Sequence, residues 1–141
     1  LRDANLTNSN MSDSNLYGVT LRDANLFGAN LERTFLRGAN LTGANFYTVN
    51  LSEASLSEAS LSEANLTAVN LYGANLTNAD LTGSKLFLAN LALANLTGAN
   101  LTDANLEGAV LTGAILTGAV LKGSILTDAV LTDANLADAR R

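Results

Sequence analysis

Three glutamates at a fixed interval are the residues of this chain that most suggest chemistry. Glu53, Glu58 and Glu63 each occupy the third place of a consecutive LSEA block. Carboxylates held close together could bind a cation or serve as a general acid and base. Whether the three meet depends on the backbone that carries them, because a spacing of five places them differently on a helix, a strand or a turning chain.

The rest of the composition offers little to a catalytic site. The 141 residues include no Cys and no His, so thiolate chemistry, disulfides and imidazole acid–base catalysis are all missing. The Ser and Thr hydroxyls have no His to activate them, and the glycines recur as turn residues without a phosphate-loop arrangement. We therefore expect no enzymatic activity, no cofactor and no metal site.

Charge and the chain start limit partners and location. The net charge of −5 disfavours direct nucleic-acid binding, which requires a basic surface against the phosphates. Leu1 already lies inside the sequence pattern with no Met before it, so a preceding segment is not visible. Location therefore stays open, with the cytoplasm as the default expectation.

An uninterrupted repeat of five residues organises the whole chain. It divides into 28 blocks of five plus one residue, without an insertion. The first residue of each block is Leu except at Met11 and Phe46, the fourth is mostly Ala, and the fifth is usually Asn. The second and third are mainly Thr, Ser, Gly, Asp or Glu.

A period of five fits neither a straight helix nor a straight strand. Five helical steps of about 100° would spiral the leucines around the cylinder, and an odd spacing on a strand would send successive leucines to opposite faces. Both conflicts disappear if the backbone turns once per block. The Leu and the Ala two residues before it then point inward, Asn points outward, and the second and third positions form a corner.

Two repeats within the repeat indicate four blocks per turn of the rod. LRDANL occurs at 1–6 and again at 21–26, and the exposed aromatics Phe27, Tyr47 and Phe87 are separated by multiples of twenty. The fifth-position asparagines are placed to form side-chain ladders between stacked coils. The three glutamates would then lie on different faces as solvated residues and would form no cation site.

The blocks ANLTG, ANLTD and ADLTG resemble the A(D/N)LXX motif of the pentapeptide repeat proteins, along the whole chain and most like the cyanobacterial members. The resemblance implies an all-β fold, a right-handed quadrilateral β-helix with four blocks per coil and about seven coils. It also implies one repeat domain over residues 1–141. At about 4.8 Å per coil the rod would be about 34 Å long.

The stretch VLTGAILTGAVLKGSILTDAV, residues 110–130, breaks the pattern at the fifth position. Asn is replaced there by aliphatic residues, which form an outward-facing collar just over one coil high, with the first and last stacked at one corner. A membrane span is disfavoured because glycines recur every five residues with turn signals between them. The candidate interaction residues are the collar, Val110, Ile115, Val120, Ile125 and Val130, together with Phe87, Leu88 and Leu93.

Two interpretations of the collar stay open. Branched aliphatic residues suit extended backbone and are ordinary on a surface when single, whereas a contiguous exposed patch marks an interface. The open coil ends also expose unpaired backbone, so we expect an end to be covered by further sequence or by another copy of the chain. The collar and the ends are thus both candidates for homo-oligomer contacts.

The leading functional prediction is a non-enzymatic structural or protein-interaction module with an unidentified protein partner. The alternative, implied by the family resemblance, is a DNA mimic that inhibits or protects a type II topoisomerase such as DNA gyrase. Residues 41–120 carry a net charge of −5 over about 19 Å, where B-DNA would carry about 11 charges, so the charge density is under half that of DNA. Ice binding is disfavoured because each block offers one outward Thr rather than a paired array, and Tyr17 and Arg37 interrupt that face.

Overall fold

Each block folds as a β-turn followed by a short extended segment, in a computed structural model that describes all 141 residues. The turn is closed by the fourth-position amide, which donates to the first-position carbonyl, as from Ala74 N to Leu71 O at 3.0 Å. The third-position residue has a positive φ in every block, between 53° and 69°. That left-handed conformation belongs to the third residue of a type II turn, and all eleven glycines of the chain occupy this position.

Four blocks make one coil, and seven coils stack as a right-handed quadrilateral β-helix, as predicted. There are no helices, and the strands reduce to single bridged residues at the fifth positions. Each of these pairs in parallel with the residue twenty positions later, beginning with Asn5 and Asn25. Face 1 carries Asn5 and every twentieth residue after it, face 2 follows Asn10, face 3 follows Asn15 and face 4 follows Thr20. Coils 1 to 7 cover 1–20, 21–40, 41–60, 61–80, 81–100, 101–120 and 121–140.

Backbone hydrogen bonds between coils run parallel to the rod axis. In a typical interior block Leu71 N donates to Asn90 O at 2.7 Å, and Gly73 N donates to Ala92 O at 3.0 Å. The fifth-position amide donates in the opposite direction. The sides of the rod therefore present no unpaired strand edge, because these groups are already used between neighbouring coils.

The interior is a closed column of apolar side chains, as the repeat predicts. From Leu21 to Leu121 the first-position residues are at most 3% exposed, and Phe46 is buried in place of a leucine. Apart from Leu121, the leucines of the outermost coils are at most partly buried against this core, and Leu1 is 71% exposed. Each coil is thus sealed by its neighbours, and stability is expected to increase with the number of stacked coils.

The fifth-position asparagines have two structural roles. Their side chains form the predicted ladders, with Asn90 Nδ2 donating to Asn70 Oδ1 at 3.1 Å and Asn70 Nδ2 to Asn50 Oδ1 at 3.0 Å. Each Oδ1 also accepts the backbone N–H two residues later, as Asn90 Oδ1 does from Ala92 N at 3.2 Å. This Asx-type cap was not predicted, although Asn and Asp are known to form it beside turns. It satisfies the second-position amide, which takes no part in the bonds between coils.

The aliphatic stretch 110–130 keeps the same turns and bridges as the rest of the chain. Nowhere does the chain form a helix that could span a lipid bilayer.

Candidate interaction surface

The collar encircles coils 6 and 7. Val110 and Val130 lie on face 2, Ile115 on face 3, Val120 on face 4 and Ile125 on face 1. Four of them are 37–48% exposed, while Val120 is half-buried. The predicted stacking of Val110 with Val130 is correct, but its predicted place at a corner was wrong. The two residues form a parallel bridge along the middle of face 2, because corners consist of second and third positions only.

The asparagine cap is missing in the five collar blocks, where Val or Ile occupies the fifth position. All sixteen fifth-position asparagines of the chain accept the backbone N–H two residues later, and a Val or Ile side chain cannot. The corresponding amides therefore have no acceptor within the chain. They belong to Thr112, Thr117, Lys122, Thr127 and Thr132. The Asn ladder of face 2 ends for the same reason at Asn90, directly before Val110.

Leu88 and Leu93 keep the turn conformation but are unusual residue types for the third position. They are the only large apolar residues among the third positions, with φ of 56° and 59° and 54% exposure each. A left-handed conformation costs a residue with a Cβ roughly 1–2 kcal/mol. Neither side chain is placed to recover that cost by burial in the core.

The structure joins these leucines to the collar. A Cβ on Gly108 would lie 2.8 Å from a δ-methyl of Leu88, and a Cβ on Gly113 would lie equally close to Leu93. Each leucine therefore extends over a glycine of the next coil, two residues before Val110 or Ile115. Six of the eight predicted residues lie on face 2, on its two corners or on the adjoining face 3, while Val120 and Ile125 lie on faces 4 and 1. We call Leu88, Leu93 and the collar the aliphatic surface.

Phe87 lies at the edge of the aliphatic surface, on the corner between faces 1 and 2. Phe27 and Tyr47 share this corner and stack with ring centroids 5.8 Å apart and an interplanar angle of 17°. Thr67 occupies the intervening coil, so Phe87 is separated from that pair. Its 36% exposure leaves it available beside Leu88.

The ion pairs of the rod lie at the opposite end from the aliphatic surface. All of them use one of four arginines in coils 1 and 2, namely Arg2, Arg22, Arg33 and Arg37. Arg33 Nε lies 2.7 Å from Asp13 Oδ1, and Arg33 also pairs with Glu32. The hydrogen bond from Arg33, with its charge, lowers the pKa of Asp13, and the same contacts raise the pKa of Arg33.

The three glutamates are kept apart, as predicted. Glu53, Glu58 and Glu63 occupy three successive corners of the square coil, and Glu58 accepts a hydrogen bond from Arg37 at 2.9 Å. The rod contains no pocket that would enclose a small molecule. The collar is the longest run of consecutive blocks without Asn at the fifth position.

Comparisons with known proteins agree on one architecture. The family described as Pentapeptide repeats matches the chain in eight copies, over residues 1–23, 21–57, 50–86, 89–128 and 114–140. The chain is similar to HetL, a pentapeptide repeat protein involved in heterocyst differentiation regulation from the cyanobacterium Nostoc sp. strain PCC 7120. The two share 34% identity with a TM-score of 0.52, over 98% of this chain and 72% of HetL.

Two further solved structures are similar over much of the chain. A trypsin-treated variant of QnrB1, a plasmid-mediated fluoroquinolone resistance protein, is 20% identical with a TM-score of 0.50, over 95% of this chain and 78% of QnrB1. That likeness concerns the fold alone. A pentapeptide repeat protein from the Arabidopsis thaliana thylakoid lumen is 34% identical with a TM-score of 0.38, over 72% of this chain and 71% of that protein. No curated protein sequence matches the chain.

Proposed function

The chain belongs to the pentapeptide repeat family, and from this premise we propose that it is a protein-interaction rod rather than an enzyme, with the aliphatic surface as its contact site. The family generally supplies structural or interaction modules. HetL is described as involved in heterocyst differentiation regulation, which supports a role through contacts with other proteins.

The observation that carries the proposal is that two independent local costs coincide on one surface. Five consecutive blocks lack the asparagine cap, the longest such run in the chain, and Leu88 and Leu93 are the only large apolar residues among the left-handed third positions. Departures from local rules without a gain in packing concentrate at functional sites. An exposed apolar patch of this kind is also where binding energy is available. Contact with a partner is the gain that would offset both costs.

A paired substitution tests whether the collar is a contact surface. Ile115→Asp with Val120→Asp should leave the far-UV circular dichroism of the rod unchanged, because both side chains point outward. The same variant should change the sedimentation of the rod, or its capture of proteins from a lysate of the organism that encodes it. Ser57→Asp with Thr77→Asp adds equal charge on the corner between faces 3 and 4, away from the collar, and serves as the control. Identical sedimentation and capture for wild type and both variants would refute the proposal.

Self-association has a second candidate site at the outermost coils. Leucines such as Leu6 and Leu126 are only partly covered there, and coil stacking would bury them. A rod whose self-association survives the Ile115→Asp and Val120→Asp substitutions would use these coils instead of the collar.

The second candidate function is DNA mimicry at a type II topoisomerase. In its favour, Glu53 and Glu63 are exposed carboxylates with no ion-pair partner in the middle coils. Against it, the acids of residues 41–120 are distributed over all four corners and face 4, and they reach under half the linear charge density of DNA. Inhibition of gyrase supercoiling at low micromolar rod concentration would establish this function, and unchanged supercoiling would exclude it.

A further inference from the structure

Face 2 differs from the other faces at the level of coils 5 to 7. Its two bordering corners carry the same sequence of third-position residues along the rod axis. Leu88, Gly108 and Asp128 follow one corner, and Leu93, Gly113 and Asp133 follow the other. Between these two columns lie Val110 and Val130. The result is an apolar strip bordered by leucines at one end and carboxylates at the other.

Resting on the proposed interaction role, we propose that this part of face 2 binds one amphipathic helix of a partner protein. The apolar stripe of the helix lies on Val110, Val130 and the two leucines. Basic side chains near one end of the helix pair with Asp128 and Asp133.

Charge complementarity favours a basic partner. Asp128 and Asp133 have no ion-pair partner within the chain, since every ion pair uses an arginine of coils 1 and 2. The basic residues nearest in sequence, Lys122 and Arg140, lie on the corner between faces 4 and 1 and on face 4, away from face 2. A Lys or Arg of a partner would therefore meet two unneutralised carboxylates.

The backbone leaves no free strand edge on the side of face 2 in coils 5 and 6. Their extended segments exchange hydrogen bonds with the next coil, as Leu91 N does with Val110 O at 2.7 Å and Leu111 N with Val130 O at 2.7 Å. A partner on the side of the rod therefore docks through side chains, whereas strand addition is confined to the open end of coil 7. Three extended residues give a face about 10 Å wide, which matches the 10–12 Å diameter of a single helix. Three coils cover about 14 Å along the axis, the length of roughly ten helical residues.

Area and charge disfavour a second copy as the occupant. The accessible surface of 6268 Å² is shared by 28 blocks, so three blocks of one face offer about 670 Å², below the roughly 800 Å² per partner of a standard interface. Two parallel rods with their apolar strips in register would also bring Asp128 of one copy against Asp133 of the other, and two antiparallel rods would place the leucines of one copy against the carboxylates of the other. A single helix avoids both difficulties.

A peptide selection tests the proposal with a defined probe. A phage-displayed library of random peptides of about 16 residues, enough for a short helix, is panned on the intact wild-type rod. We expect enriched peptides to carry apolar residues at helical spacing with at least two Lys or Arg. Their affinity should fall about tenfold on Val110→Asn, which removes a central apolar contact. Asp128→Asn with Asp133→Asn should weaken binding about threefold and reduce its salt dependence.

Asp103→Asn with Asp138→Asn is the matched control, because it changes the net charge equally at the two other corners. Binding by that variant should equal wild type. The inference is overturned if no peptide is enriched, if enriched peptides bind the Val110→Asn rod equally well, or if the two aspartate pairs give the same effect. It is also overturned if wild type is a dimer that Val110→Asn converts to monomers. If the Ile115→Asp and Val120→Asp variant changes protein capture but the peptide selection fails, the interaction role is retained. Only the helical partner on face 2 is then rejected.

Discussion

Ser84 gives the sharpest test of the packing described above, because its hydroxyl is buried without a partner. It occupies a fourth position, where most blocks have Ala, and it is fully buried. Its Oγ is the one buried side-chain polar atom that forms no hydrogen bond. Ser9 and Ser124, at the same block position in the outer coils, each donate to the carbonyl three residues earlier.

Removing this hydroxyl should stabilise the rod. Burial of an unbonded hydroxyl costs roughly 1–3 kcal/mol in protein mutants, and Ala fits the fourth position in neighbouring coils. We expect Ser84→Ala to raise the free energy of unfolding by about 1–2 kcal/mol. For a chain of this size, that corresponds to an increase in Tm of about 3–6 °C.

Thr34→Val also removes a buried hydroxyl, but we expect it to destabilise the rod. Thr34 is equally buried, but its Oγ1 donates to Met11 O at 3.2 Å. Loss of that bond should lower the free energy of unfolding by about 1 kcal/mol. Thermal and urea unfolding followed by circular dichroism would measure both variants. If Ser84→Ala is no more stable than wild type, the reasoning about the unbonded hydroxyl is refuted.

Three further substitutions test other features. Val110→Asn should leave Tm unchanged or higher while it weakens binding at face 2 about tenfold, since the new amide can accept the Thr112 N–H; a large fall in Tm would contradict this. Thr48→Gly should raise the unfolding free energy by about 0.5 kcal/mol in urea titrations, because a β-branched residue leaves a left-handed position. Arg33 lowers the folded-state pKa of Asp13, so its stabilisation holds above the unfolded pKa of about 3.9 and is lost as pH falls through the lower folded pKa. The Tm difference between wild type and Asp13→Asn should therefore shrink below about pH 4, and a constant difference would contradict the pairing.

The repeat alone predicted the columns of the rod and most of its surface, because one geometric constraint is applied 28 times. The inward leucines, the corners at second and third positions and the four-block coil all follow from an odd spacing that neither helix nor strand accommodates. The asparagine ladders were predicted for the same reason, since residues twenty apart must stack. The separation of Glu53, Glu58 and Glu63 follows from the same geometry.

The remaining features depend on stacking, which overrides local preference. No local signal assigns a left-handed conformation to Thr48, Leu88 or Leu93, because their residue types disfavour it. The coils above and below impose it through the common turn. Leu88 and Leu93 lie next to the collar because each extends over a glycine of the next coil, Gly108 or Gly113. The sequence indicated these glycines only as turn residues. The asparagine cap had a recognisable signal, an Asn before each turn, but its loss across the collar could not be seen before the cap was known.

The twenty-residue coil also sets rules for how such a rod can change length. Duplicating or deleting four blocks before Val110 would move the aliphatic surface by about 4.8 Å along the axis while keeping its orientation. Duplicating a single block would instead rotate everything beyond it by a quarter turn relative to the coils before it. The position of a binding site along and around the rod thus changes in fixed steps: four blocks move it along the axis alone, and one block moves it by a quarter turn and about 1.2 Å.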